Sequence, residues 1–534
     1  MTSHRTLLGV VVAASLAPLA TAQQRFSDVT AAAGIQHVQS VDAIAQLSEI
    51  TAMSGGAAVG DIDGDGWVDL FVTRLEQPSI LYRNLGRDSS GAHQGFVDDT
   101  DYVFFGKRPG LRGNGVAFGD IDGDGDLDLY VATVWTRRYQ LFINENGRFR
   151  NDAARRGASL ETTYVHHGYS PSFGDYDGDG YLDIYVTEWG HFAPHASDSR
   201  LLRNLGAVNP GHFEDTTDAA EVALEGSNGV FAFTPIFSDL DDDGHQDLAL
   251  ANDFGLSRLF WNDGDGTFTE GTITAGVGTD ENGMGATVAD FNGDGLLDWF
   301  VTAIYGLNCP VGCGWGISGN RMYLNNGDRT FTDATDAMGV RDGGWGWGTV
   351  AFDYDLDGDV DLAMTNGVDF SWWDADDDFN ADPMKLWRND GQSFTEVSTS
   401  LGLTDTGSGK GMLTFDYDRD GDLDIFMVNN AAAPVLYRNE GGSGHWLQVR
   451  LQSDSPNRFG IGARVLVTRN AGDAPQLREV TASSTFLAQS EVMAHFGLGD
   501  SDAAIHQVEV RWPSGQVSIL RDVEVDQHLY VQEP

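Results

Sequence analysis

Asp61-Ile62-Asp63-Gly64-Asp65-Gly66-Trp67-Val68-Asp69 is the stretch whose reading decides the fold. Carboxylates stand at its first, third, fifth and ninth positions and a glycine at its sixth, and the apolar run Leu70-Phe71-Val72 follows. The pattern begins again at Asp120, Asp175, Asp239, Asp290, Asp353 and Asp416, after gaps of 59, 55, 64, 51, 63 and 63 residues. Seven copies of one unit are therefore expected, plus whatever lies outside them.

Alternate carboxylates in so short a loop can wrap oxygens around one hard cation, and the glycine permits the sharp turn. The candidate ligands of the first two loops are Asp61, Asp63, Asp65, Asp69 and Asp120, Asp122, Asp124, Asp128. Those of the next two are Asp175, Asp177, Asp179, Asp183 and Asp239, Asp241, Asp243, Asp247. The last three offer Asp290, Asn292, Asp294, Asp298, then Asp353, Asp355, Asp357, Asp361, then Asp416, Asp418, Asp420, Asp424. Of these 28 positions 27 are Asp. Carboxylates packed this closely repel one another unless a cation sits among them. Calcium is expected over magnesium because the donors are many, flexible and all oxygen, with up to seven ions, one per unit. An EF-hand is excluded. Its twelfth position needs a bidentate Glu, whereas Val72, Val131, Val186, Leu250, Val301, Met364 and Met427 stand there. The loop is read as a β-hairpin clip between the first two strands of a unit.

The flanks support that reading. An apolar run such as Val116-Ala117-Phe118-Gly119 precedes a loop, and a β-rich run such as Leu129-Tyr130-Val131-Ala132-Thr133 follows it. A third run ends in Asn, as in Ile80-Leu81-Tyr82-Arg83-Asn84, and a fourth reads Phe-x-Asp or a close variant. Four short strands per repeat of this length match a propeller blade, so an all-β, seven-bladed β-propeller is expected over residues 23–440. The fourth-strand signature falls at Phe96, Phe149, Phe213, Phe268, Phe331 and Phe394 and is missing after the seventh loop. One extra copy, Phe26-Ser27-Asp28-Val29-Thr30, precedes the first loop and is expected to supply the outer strand of the last blade.

Residues 441–444 form a Gly-rich linker, and residues 445–534 read as a small β-sandwich-like domain. The repeats resemble the FG-GAP/VCBS-type repeats of integrin-alpha-like propellers, on the loop and strand pattern. The last domain resembles the ASPIC/UnbV domain. The resemblance rests on His445-Trp446-Leu447, on the run from Asn457 to Val465, on Arg478-Glu479-Val480, on His495-Phe496-Gly497-Leu498-Gly499 and on the run from Val508 to Gly515. Together they place the chain close to the cartilage-acidic-protein-like family, which implies calcium binding and export.

The formal net charge is −48 and only Lys107, Lys385 and Lys410 are lysines, so no nucleic-acid partner is expected. Bound cations, a high-salt habitat, or both would suit such an acidic chain. Seven divalent ions would leave about −34. Residues 1–22 read as a signal peptide, with the apolar core 7–20 and the small-x-small site Ala20-Thr21-Ala22. No later stretch is apolar enough to span a bilayer, and a periplasmic, cell-surface or secreted location is expected. Cys309 and Cys313 are expected to form a local disulfide, two free thiols being the alternative.

In a meander the long insertions fall on the face opposite the calcium loops. That face is expected to bind a protein or glycan partner through Trp189, Trp315, Trp345, Trp347, Trp372 and Trp373. Trp345 and Trp347 could instead plug the channel. The competing function is a lyase or hydrolase acting on an extracellular polymer, with its site on that long-loop face where Glu188, His191 and the acidic run 376–378 would converge; His191 and His195 are also candidate metal ligands with Glu188.

Overall fold

The computed structural model describes residues 25–39, 49–190, 199–224, 230–255, 257–306, 318–368, 381–442 and 444–534, with single positions 316 and 379. The signal-peptide reading, the cysteine pair, Trp315, Trp372, Trp373, His191 and His195 lie outside them. The chain is an all-β propeller followed by a small β domain.

Strands Ala57–Gly60, Asp69–Val72, Ile80–Asn84 and Phe96–Asp98 pair antiparallel in sequence order. Meanders of the same kind start at Gly113, His166, Val230, Ala286 and Gly346. The last set, Gly409–Phe415, Asp424–Asn429 and Val435–Asn439, takes its fourth strand from Phe26–Asp28, with Phe26 opposite Asn439. The ring is thus closed by the segment that precedes its first blade, which covers the edge that Val435–Asn439 would otherwise leave open. The fourth strands Phe96–Asp98, Phe149–Asn151, Phe268–Glu270, Phe331–Asp333 and Phe394–Glu396 each bury the Phe and expose the next two residues.

The C-terminal domain is two sheets. His445–Gln452 lies between Ala494–Gly499 and, in parallel, Gln527–Gln532. Arg464–Thr468 pairs with Gln476–Glu479 and Ile505–Arg511, which pairs with Val517–Val523. Leu447, Val449, Val465, Val467, Phe496, Val508 and Val510 form its core, continuous with apolar residues of the second and third blades such as Ala117, Phe173 and Ile184. The expected boundary at the Gly-rich linker is therefore a boundary of sequence and not of packing. The domain sits on the loop face and sends residues 481–490 into the channel.

The innermost strands face that channel with their free edges, except where His166-His167 and Val230-Phe231 pair with the second strand of the preceding blade. The inserted segment satisfies several of these edges. Gln489 accepts from Phe118 N at 2.7 Å and donates to Phe118 O at 2.9 Å. Ser483 Oγ accepts from Phe237 N, Thr485 Oγ1 donates to Met412 O, and Ala488-Gln489 pair with Ala57-Ala58. At its tip Phe486 and Leu487 are fully buried with positive φ, 116° and 55°. Bulky residues adopt that backbone only where surrounding packing compels it. The packing comes from one level of the channel, the sixth residue before each loop, among which Tyr169, Phe233, Met284 and Trp347 join Phe486 and Leu487 in one cluster. Thr485 N donates to Ala488 O at 2.9 Å, so the segment turns back on itself at this tip.

Candidate metal centre

The ninth-position aspartate of every loop is held the same way. Asp69 accepts from Asn84 N at 2.8 Å and from Ile62 N at 3.3 Å. Asp128, Asp183, Asp247, Asp298, Asp361 and Asp424 repeat the pair of bonds. This carboxylate locks the loop to the end of the third strand. The first-position aspartate accepts from the backbone N–H groups of positions five and six, as Asp61 does from Asp65 and Gly66 at 3.1 and 2.8 Å. Gly64 and Gly66, with φ of 71° and 88°, make the turn.

Oxygens of positions one, three and nine come within 4.8 Å of one another in the loops of Asp61, Asp120, Asp175 and Asp239. In the loop of Asp353 the group is positions one, three and five. Third-position carboxylates carry the informative detail. Asp122 is paired through one oxygen to Arg156 at 3.0 Å, and Asp241 likewise to Arg329. The other oxygen, Oδ1, is buried in Asp122, Asp241, Asp355 and Asp418 and has no hydrogen-bond partner. A buried anionic oxygen without a donor is costly, and four at equivalent places fit the coordination of a cation. Burial first, then neighbouring carboxylates, push Asp120, Asp175 and Asp353 up to about 7. Burial likewise drives Asp69, Asp128, Asp183, Asp247, Asp361 and Asp424 well above the usual carboxylate range. A divalent ion would relieve both penalties. The donor set fits one: all oxygen, clustered, and preorganised by the backbone.

On the opposite face the reading of the tryptophans needs correction. Trp189, Trp345 and Trp347 are buried, at 7%, 5% and 1% exposure. Trp189 Nε1 donates to Asp253 Oδ2 and Trp347 Nε1 to Gly367 O, while Trp345 stacks on Trp347 at 6.1 Å. They wall the channel around the inserted tip, so a partner arriving from solvent does not reach them. Glu188 is also buried. It accepts from Tyr139 Oη and bonds His166 Nδ1 at 2.5 Å, so its carboxylate is committed within the fold.

The sequence reading missed a second ring. The Asn ending each third strand bridges two blades. Asn389 Nδ2 donates to Val360 O of its own loop and to Phe291 O of the preceding one, at 2.9 and 2.8 Å. Asn84, Asn144, Asn204, Asn262, Asn325 and Asn439 do the same. Asn84 reaches Tyr417 O and so joins the first blade to the last. The signal was present as a recurring Asn at strand ends; its reach into another repeat was not.

Fold and loops define a class, a β-propeller of FG-GAP repeats capped by an ASPIC/UnbV module. Residues 57–131 and 239–301 match the FG-GAP-like repeat, 167–188 the FG-GAP repeat, and 453–534 the family described as ASPIC and UnbV. The chain is similar to cartilage acidic protein 1 of Homo sapiens, 28% identical over 507 residues, 88% of this chain and 70% of that protein. The Mus musculus and Xenopus tropicalis proteins of that name are also 28% identical over 88% of this chain, each covered over 72% of its own length. Among solved structures, an Agrocybe aegerita lectin described for its recognition of non-reducing terminal N-acetylglucosamine superposes with a TM-score of 0.39 at 17% identity, over 71% of this chain and 92% of that one. Among the described residues no helix is long and apolar enough to cross a membrane.

Proposed function

We propose that this protein is an exported β-propeller whose loops hold up to seven calcium ions as structural clips, and that it serves as a non-enzymatic binding module for an extracellular protein or glycan. The observation that carries the calcium half is the unpartnered, buried Oδ1 of Asp122, Asp241, Asp355 and Asp418 amid clustered carboxylates. Extracellular calcium is abundant, so a Kd as weak as ~10⁻³ M would fill such sites. The binding half is supported by layout. The C-terminal domain occupies the loop face, which leaves the opposite face of a rigid ring for a partner. Similarity to cartilage acidic protein 1 and the acidic composition support an extracellular setting.

The test is a calcium titration by calorimetry beside thermal melts with and without chelator. Heat of binding to several sites and a substantially lower melt on chelation are expected; no bound calcium and an unmoved melt would sink the calcium reading. For the binding half, pulldown from cognate extracellular material is expected to weaken in Trp372→Ala and Trp373→Ala variants. Capture that both variants leave unchanged removes these residues from the recognition surface.

A further inference from the structure

The loops differ in what covers them. In the loop of Asp416 the C-terminal domain reaches the first carboxylate directly. Gln448 Nε2 donates to Asp416 Oδ2 at 2.7 Å, beside the loop's own Gly421 N at 3.0 Å. His495 Nε2 bonds Gly421 O at 2.9 Å, and the Trp446 ring lies against Gly421, where a Cβ would clash. In the loop of Asp353, Gly497 N donates to Asp353 Oδ2 at 3.1 Å and Gly499 N to Leu356 O at 2.7 Å. Asp416 and Asp353 are 0% and 1% exposed. The loop of Asp239 is gripped from one side, by Arg464 and by Glu479, but it borders an open cleft of about 510 Å³ shared with the loop of Asp175. The loop of Asp61 bonds no residue of the domain among the described residues, and its Asp63 and Asp65 are exposed.

We propose that the C-terminal domain is a lid seated by the cations of the Asp353 and Asp416 loops, which it in turn holds captive, while ions in the other loops exchange freely. The proposal rests on the calcium reading above. In both loops one oxygen of the first carboxylate faces the domain, and the third carboxylate, Asp355 or Asp418, turns a buried, unpartnered Oδ1 inward. A cation bound there fixes both carboxylates, and so fixes the acceptor that Gln448 or Gly497 N needs. Without it the carboxylates repel, the acceptors move, and the domain loses bonds to charged partners, the strongest kind of hydrogen bond available to it. The dependence is reciprocal, because whatever the ion adds to seating, seating adds to ion affinity. Leaving either site requires the domain to lift, and the domain is anchored by the segment in the channel, through Gln489, Thr485 and the buried pair Phe486-Leu487.

The test uses the full chain, loaded with calcium and mixed rapidly with excess of a calcium-sensitive chelator. Two release phases are expected, with two ions in the slow one. Gln448→Met keeps the shape and removes the donor, and should speed part of the slow phase by about tenfold or more. Asp355→Ala and Asp418→Ala should each remove one slow ion, and Asp63→Ala one fast ion. Hydrogen exchange should show residues 484–489 losing protection with the slow phase. Calcium that binds in the expected number but leaves in one fast phase overturns the proposal. So does protection of 484–489 that survives complete calcium removal. A chain that binds no calcium instead overturns the reading beneath it.

Discussion

Asn389 donates one amide proton to its own blade and the other to its neighbour, so a single side chain fastens two repeats. Both carbonyls are buried, and truncation leaves two acceptors unpaired. Asn389→Ala should cost about 3 kcal/mol, read as a lower urea midpoint at unchanged slope. The exposed Asn326, next to the bridging Asn325 but bonded only to Thr330 and Thr332 of its own blade, gives the comparison. Asn326→Ala should stay within about 0.5 kcal/mol. Histidines set a second expectation at this scale. Burial holds His37, His167 and His495 down at about 4 instead of 6.5. His37 Nδ1 bonds Tyr82 Oη, and its Nε2 is buried without a partner, so a second proton would be an unpaired charge. Between pH 6.5 and about 4 the unfolded chain takes up protons that the folded chain refuses, so stability falls as pH drops through that window. His37→Gln should make the fall shallower; an identical pH profile would show that His37 already protonates in the fold.

At the scale of the element, the terminal strand and the inserted segment show what sequence can and cannot carry. Phe26-Ser27-Asp28 was legible as the missing outer strand because it is a copy of a repeated signature, and counting copies needs no knowledge of distance. The calcium-type loops were legible for the same reason. Residues 481–490 repeat nothing. Thr485, Phe486 and Leu487 look like any strand turn, and their partners, such as Ser170 and Phe233, lie more than 250 residues away. Trp345 and Trp347 were open to two readings because a wall and a binding surface use the same residues; only the buried tip at Phe486 decides for the wall. Two expectations follow from these elements. Deleting the chain through residue 30 should expose the edge Val435–Asn439 and yield a protein that melts lower and associates at micromolar concentration by light scattering, whereas deletion through residue 24 should leave a monomer-like profile unchanged. Phe486→Ala should cost about 3–5 kcal/mol in urea unfolding, because the channel walls are rigid strands that cannot collapse onto the void.

For the whole molecule the question is how a chain of net charge −48 stays folded. Surface ion pairs contribute little individually, and the described ones, such as Arg83–Asp99 and Arg388–Asp390, are partly exposed. Much of the acidity is concentrated where it can be neutralised locally: 27 carboxylates at the four candidate ligand positions of seven loops, at the ends of the innermost strands. Two kinds of repulsion must then be separated. Surface repulsion is long-ranged and is screened within ~10 Å at 0.1 M salt. Repulsion inside a loop acts over a few ångströms between buried oxygens, where mobile salt does not enter. Chelated protein in about 1 M sodium chloride should therefore recover only a minor part of the melting temperature lost on chelation, while millimolar calcium at low salt recovers all of it. Full recovery by sodium chloride alone would assign the acidity to general surface repulsion and leave the loops as ordinary turns. Partial recovery by salt with complete recovery by calcium would place the decisive charge inside the loops, which are also the points where each blade is clipped to its own third strand and, through the adjoining asparagines, to the next blade.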